Sequence, residues 1–210
     1  CKSDIKHIVI DEAQDYNMLQ FIVLKELTGC RSYTIVGDAN QRLIKATEEA
    51  AMLNLKPLFG GFTKYFDLNK SYRSTYQIMQ YANKLLDEHA IVPFVREGKY
   101  DVEEVRVNDK EDLIDTLLET LEAYEDENYE NVAIIVKGKE ELKEIAPELK
   151  QFTKILSFDR EDLIYRGGRV IIPSYYAKGL EFDGVIVVNL DNDTDNLVKY
   201  IMCTRALHRL

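Results

Sequence analysis

Short, almost wholly apolar runs rich in β-branched residues recur along the chain. They are Ile8-Val9-Ile10, Tyr33-Thr34-Ile35-Val36, Val132-Ala133-Ile134-Ile135-Val136, Val170-Ile171-Ile172 and Val185-Ile186-Val187-Val188. Runs without polar alternation read as strands buried on both faces, as in parallel sheets. Helix-length segments lie between them, at 17–28, 43–56, 75–86, 111–124, 139 onward and 194–205. The helix at 75–86 carries Ile78, Ala82, Leu85 and Leu86 on one face, and that at 111–124 carries Leu113, Leu117, Leu118 and Leu121. This alternation predicts an α/β fold of parallel sheets with flanking helices. Asp15 or Asn17 can cap the first helix and Gly29 can end it. Pro57 is expected to stop the helix before it, and Pro147 to disturb the one around it. Shorter strands are expected at 65–68, 102–107 and 155–158, and the run at 185 is expected to extend to 190. The loop at 57–63, with Gly60-Gly61, is the candidate boundary between a first domain at 1–62 and a second at 63–210.

A chain of 210 residues can bury one or two sizeable cores. No apolar run is long enough to span a bilayer, and the polar start, Cys1-Lys2-Ser3-Asp4, is not a signal peptide. Cys1, Cys30 and Cys203 are odd in number and far apart, which suits reduced thiols in a cytoplasmic protein. His7, His89 and His208 show no metal spacing. A net charge of −10 argues against a free-standing nucleic-acid binder, although much of the acid is concentrated in 119–130. The chain does not begin with Met and leads at once into a core-like strand, so a fragment of a larger protein is expected.

The first run ends in Asp11-Glu12. Ligands of open α/β sheets bind at the carboxyl ends of strands. Two hard oxygen donors there suit Mg²⁺ carried by a nucleotide, with one carboxylate left to act as a base. The same letters also fit a strand followed by an acidic turn. Gln41 follows the second strand, where its amide can sense a γ-phosphate or simply cap a surface turn. Arg73 and Arg205 can supply bidentate positive charge to phosphoryl oxygens, or lie on the surface. Gly179 permits a tight turn or a close backbone approach.

Five segments, in order, resemble the superfamily 1 helicases of the UvrD/Rep type. Asp11-Glu12-Ala13-Gln14-Asp15 is similar to that family's Walker B motif, and Gly37-Asp38-Ala39-Asn40-Gln41 to its Gly-Asp-x-x-Gln motif. Ser71-Tyr72-Arg73-Ser74 resembles Asn-Tyr-Arg-Ser, with Ser71 in place of Asn. Ala177-Lys178-Gly179-Leu180-Glu181-Phe182 and Tyr200-Ile201-Met202-Cys203-Thr204-Arg205-Ala206 resemble the last two motifs. The resemblance implies RecA-like domains of the P-loop NTPase type that close on ATP and Mg²⁺ and step along single-stranded DNA or duplex junctions. It implies Asp11 and Glu12 at the metal, and Glu12, Gln41, Arg73 and Arg205 in catalysis. It places Glu181 and Gly179 near the nucleotide. Both arginines are then expected at strand ends, partly exposed and without tight carboxylate partners.

The departures matter as much. The Walker A loop is missing from these residues, and the resemblance implies that it precedes Cys1, so the first domain would be incomplete and the fragment alone inactive. The stretch from Arg73 to Lys178 has room for the second RecA-like domain and no large insertion. The Tyr and Trp that stack on bases after Gly-Asp-x-x-Gln are replaced by Arg42-Leu43-Ile44-Lys45-Ala46, and the chain has no Trp. Tyr175 and Tyr176 can provide an aromatic surface for nucleic acid or pack in the core. Asp15-Tyr16, Gln20-Phe21 and Pro173-Ser174-Tyr175 resemble the helicase IV-like branch, which includes HelD ATPases acting on RNA polymerase. A polymerase-directed ATPase and a non-catalytic module that retains the fold therefore stand as alternatives.

Overall fold

The computed structural model describes residues 4–38, 51–68, 70–71, 73–86, 92–93, 96–158, 164–189 and 194–210. The chain divides into two compact units, Cys1–Asp67 and Leu68–Leu210. Among the described residues, no helix is long and apolar enough to cross a membrane.

The first unit holds β1 (Ile8–Ile10), α1 (Met18–Thr28), β2 (Tyr33–Ile35) and α2 (Lys56–Phe59). β1 and β2 pair in parallel, with Ile8 opposite Tyr33 and Ile10 opposite Ile35. α1 starts at Asn17 because its side chain accepts from Gln20 N at 3.0 Å, while Gln20 Oε1 accepts from Asn17 N at 2.8 Å. Gly29 ends it in the left-handed conformation. Ile10, Ala13, Phe21 and Leu55 form a small core. Pro57 does not stop a helix. It sits in the first turn of α2, where its missing N–H costs nothing. Before it, Ala51–Asn54 is a 3₁₀ turn; residues 43–50 of the expected helix lie outside the described residues.

The second unit begins with β3 (Lys70–Ser71), α3 (Tyr76–Asn83) and β4 (Val92–Pro93), the two strands pairing in parallel. α4 (Lys110–Asp126), β5 (Asn131–Val136), α5 (Lys139–Phe152), β6 (Leu156–Ser157), β7 (Gly168–Pro173), α6 (Ser174–Ala177), β8 (Phe182–Val187), α7 (Asn196–Cys203) and β9 (Ala206–Arg209) follow. Five of these strands form one parallel sheet in the order β6-β7-β5-β8-β9. Alternate residues of β5 serve two cores. Val132, Ile134 and Val136 pack with α4 and α5, whereas Ala133 and Ile135 pack with Ile78, Ala177 and Met202. The sheet is thus covered on both faces, the arrangement that the continuous apolar runs demand.

Four expectations need correction. Residues 65–68 form no strand; Tyr65 instead uses its hydroxyl to accept from Leu55 N at 2.8 Å. Residues 102–107 also form no strand. That segment lies along β9, held by Glu103 N donating to Leu210 O at 3.3 Å and by the Arg209–Glu103 ion pair at 3.1 Å. α5 runs on through Pro147, because Leu142, Ile145, Ala146 and Leu149 bury its inner face and offset the lost backbone bond. β8 starts at Phe182, three residues earlier than expected, and the strand β9 was not anticipated at all.

Candidate functional site

In the first unit the acid pair stands where β1 leaves its sheet. Val36 N donates to Ile10 O at 2.8 Å and Ala13 N to Val36 O at 2.9 Å, so the exits of β1 and β2 are laced together. Between these bonds Glu12 takes φ 51° and ψ 38°, a left-handed conformation that costs a non-glycine residue on the order of 1 kcal/mol. The kink sets Asp11 Oδ1 to accept from Glu12 N at 2.8 Å. Gln14 is buried beside it. Its Nε2 donates to Glu12 Oε2 at 2.5 Å, and its Oε1 accepts from Asp38 N at 3.0 Å. A Cβ at Gly37 would lie 2.6 Å from both Gln14 Oε1 and Met52 Sδ, so a larger residue there would displace these side chains. Gln41 lies outside the described residues.

Among the described residues no group of three or more His, Cys, Asp or Glu side chains gathers to hold a metal. The chemistry of the Asp11-Glu12 donor set, two carboxylates at a strand exit, would suit a Mg²⁺ ion that brings phosphate and water ligands of its own, since such an ion needs only one or two carboxylates.

In the second unit three segments far apart in sequence meet at the amino-terminal ends of β8 and β9. Ser74 Oγ donates to Ala206 O at 2.6 Å, and both residues are buried. Phe182 N donates to Arg205 O at 3.0 Å. Arg73 Nε pairs with Glu181 Oε1 at 2.6 Å. Arg205 is 1% exposed. Its Nε donates to Ile201 O at 3.1 Å, its Nη1 to Leu180 O at 3.4 Å and its Nη2 to Thr204 Oγ1 at 3.3 Å. Two partly exposed arginines without tight carboxylate partners are expected; Arg73 is exposed but pairs with Glu181, and Arg205 is buried. The buried guanidinium of Arg205 has its N–H groups engaged by the backbone carbonyls at the end of α7 and at Leu180 and by the Thr204 hydroxyl. Gly179 has φ 79°, a left-handed turn conformation that glycine takes without strain, and open space around its missing Cβ. Tyr72 lies outside the described residues.

Tyr175 and Tyr176 sit in α6, just past the carboxyl end of β7 and so toward the opposite edge of the sheet from Arg73. Their rings are 4.5 Å apart. Tyr175 is exposed, whereas Tyr176 is half-buried against Phe158, with Lys139 Nζ 5.8 Å from its ring centre. Sequence reasoning missed Ser74 and Gln14 as structural ties. Their signal was present, since a serine and an amide inside otherwise apolar or charged motifs need buried partners.

Residues 1–45 match the family model of the UvrD/REP helicase N-terminal domain. The ATP-dependent DNA helicase Srs2 of Schizosaccharomyces pombe is 35% identical over 91 residues, which is 42% of this chain and 10% of that protein. The ATP-dependent DNA helicase UvrD1 of Mycobacterium tuberculosis is 32% identical over 95 residues, 40% of this chain and 12% of that protein. The chain is similar to UvrD-like helicases. It spans about a tenth of the length of these relatives. Among solved structures, the C-terminal domain of a possible DNA helicase from Lactobacillus plantarum WCFS1 is 29% identical with a TM-score of 0.56. That match covers 67% of this chain and 84% of the other. The PRRSV helicase is 18% identical with a TM-score of 0.50, over 97% of this chain and 34% of the other, and shares the fold. These neighbours and the five-stranded parallel sheet with flanking helices fit a RecA-like fold.

Proposed function

We propose that these residues are the end of the first and most of the second RecA-like domain of an ATP-dependent superfamily 1 DNA translocase. The observation that carries this reading is the convergence of three segments, Arg73-Ser74, Leu180-Glu181 and Arg205-Ala206, joined by direct bonds between Arg73 and Glu181, Ser74 and Ala206, and Arg205 and Leu180. The family match at residues 1–45 and the solved C-terminal helicase domain covering 67% of the chain support the two-domain division. So does the apolar surface of the first unit, where Val9, Leu19 and Leu27 are exposed as if other strands and helices of the same domain cover them.

Each residue then has a task. Mg²⁺ bound with ATP would neutralise phosphate charge, and Asp11 would hold it. The Glu12 carboxylate orients the attacking water and takes its proton. Gln41 senses the γ-phosphate. Arg73, half exposed, exchanges Glu181 for phosphoryl oxygens. Arg205 is assigned to holding the Leu180–Glu181 turn and not to the phosphate contact that the resemblance implies, because its guanidinium is buried on carbonyls. Tyr175, exposed on α6, offers a base-stacking face with Tyr176 behind it.

ATP hydrolysis by the full protein, with and without single-stranded DNA, tests the reading. Hydrolysis should rise with DNA. Arg73→Ala should lower the maximal rate by about 10³-fold or more with nucleotide binding kept, as in related NTPases. Arg205→Ala should lower it less and also lower the melting temperature. No hydrolysis by the full protein, or steady turnover by these 210 residues alone, would overturn it.

A further inference from the structure

We propose that Gln14 is a positioning residue for hydrolysis, fixing the Glu12 carboxylate and tying it to the backbone that leaves β2. The inference deepens the reading above and rests on it. Gln14 is 1% exposed, and a buried amide is tolerated only when its polar atoms are bonded. Here both ends are engaged, Nε2 toward Glu12 Oε2 at 2.5 Å and Oε1 toward Asp38 N at 3.0 Å. The orientation of the amide follows from its partners. Asp38 offers an N–H and so needs the carbonyl oxygen, which leaves the NH₂ for the carboxylate. A flipped amide would set oxygen against oxygen and N–H against N–H.

The pocket for this amide is built by the two motif ends together. Gly37 gives it room on one side, and the left-handed turn at Glu12 brings the carboxylate to it on the other. A glutamate at the end of a strand otherwise samples many rotamers, and a base that is free to wander spends little time in line with the attacking water. Donation from Gln14 fixes one carboxylate oxygen of Glu12. It also makes the aim of Glu12 depend on where Gly37-Asp38 lies, so a shift of the β2 exit reaches the base through one side chain.

The test is a double-mutant cycle in the full protein, read by single-turnover ATP hydrolysis alongside nucleotide affinity. Gln14→Leu removes both bonds at similar volume. Gln14→Glu keeps an acceptor for Asp38 N and replaces the donor with a like charge. Gly37→Ala displaces the amide without removing it, and serves if the other variants fold poorly. Each is made with Glu12 intact and with Glu12→Gln. With Glu12 intact the rate should fall roughly 10- to 100-fold, while nucleotide affinity stays within about threefold. With Glu12→Gln the same changes should cost nothing further, because the group they position is gone. Equal losses in both backgrounds, or no loss with Glu12 intact, would overturn the proposal and leave Gln14 a structural tie. Should the unaltered protein hydrolyse ATP and Glu12→Gln stop it while all three variants are unaffected, only this inference falls. Absence of hydrolysis in the unaltered protein fells the helicase reading and this inference together.

Discussion

β5 and β1 are built from the same kind of sequence and end in different surroundings. From Val132 to Val136 every residue of β5 is at most 2% exposed, and its alternate side chains feed two separate cores. In β1, Ile10 is buried while its neighbour Val9 is 67% exposed. α1 behaves like β1: Phe21 is buried, but Leu19 and Leu27 face outward. A two-stranded parallel sheet with one bare apolar face is uncommon, because parallel sheets are normally covered on both sides. The difference teaches that the second unit satisfies its own hydrophobic pattern, whereas the first leaves part of its pattern exposed.

The comparison can be broken most directly in the core of the second unit. Ile134→Ala should cost about 2–5 kcal/mol in denaturant unfolding, since the site has no solvent to collapse toward. A loss under about 1 kcal/mol would mean that the sheet is not the tightly packed layer described. Gly184→Ala comes next, at about 1–3 kcal/mol, because the added methyl would lie 2.5 Å from the Tyr124 ring and force it to move. Tyr124 also donates its hydroxyl to Val185 O at 3.2 Å, so the shift strains a second contact.

Val9→Thr sharpens the contrast from the other side. In these 210 residues alone it should change stability by less than about 0.5 kcal/mol. In the full protein the same substitution should cost about 1 kcal/mol or more, if other elements cover that face. Equal effects in both would remove the argument for an extended first sheet.

The smallest effect is a pH slope. Burial holds His208 below its ordinary value of 6.5, and the nearby Arg96 guanidinium adds to this while Asp183 opposes it. Arg96 Nη2 meets His208 Nδ1 at 2.5 Å, an arrangement that requires an unprotonated acceptor. The unfolded chain therefore takes up this proton more readily than the folded one. The stabilisation is complete above about pH 6.5 and is lost as the pH falls through the lower folded value. His208→Gln should flatten the melting temperature of the second unit over that window. An unchanged slope would show that His208 is not held neutral.

What the sequence determined by itself was local. Contiguous apolar runs marked most of the strands, and Asn17 and Gly29 bounded a helix within their own few residues, because each depends on neighbours in the chain. The tertiary structure alone decided the rest. Pro147 stays inside a helix because burial outweighs one lost bond, and 102–107 lacks a strand because it lies beside β9 without a ladder. Arg205 looked like an exposed cation and is instead buried, its guanidinium bonded to the carbonyls of Ile201 and of Leu180, 25 residues earlier. Ser74 reaches Ala206 across 132 residues and Gln14 reaches Asp38 across 24. No spacing rule predicts such pairs, because the partner of a buried polar group is chosen by whichever backbone the fold brings within about 3 Å.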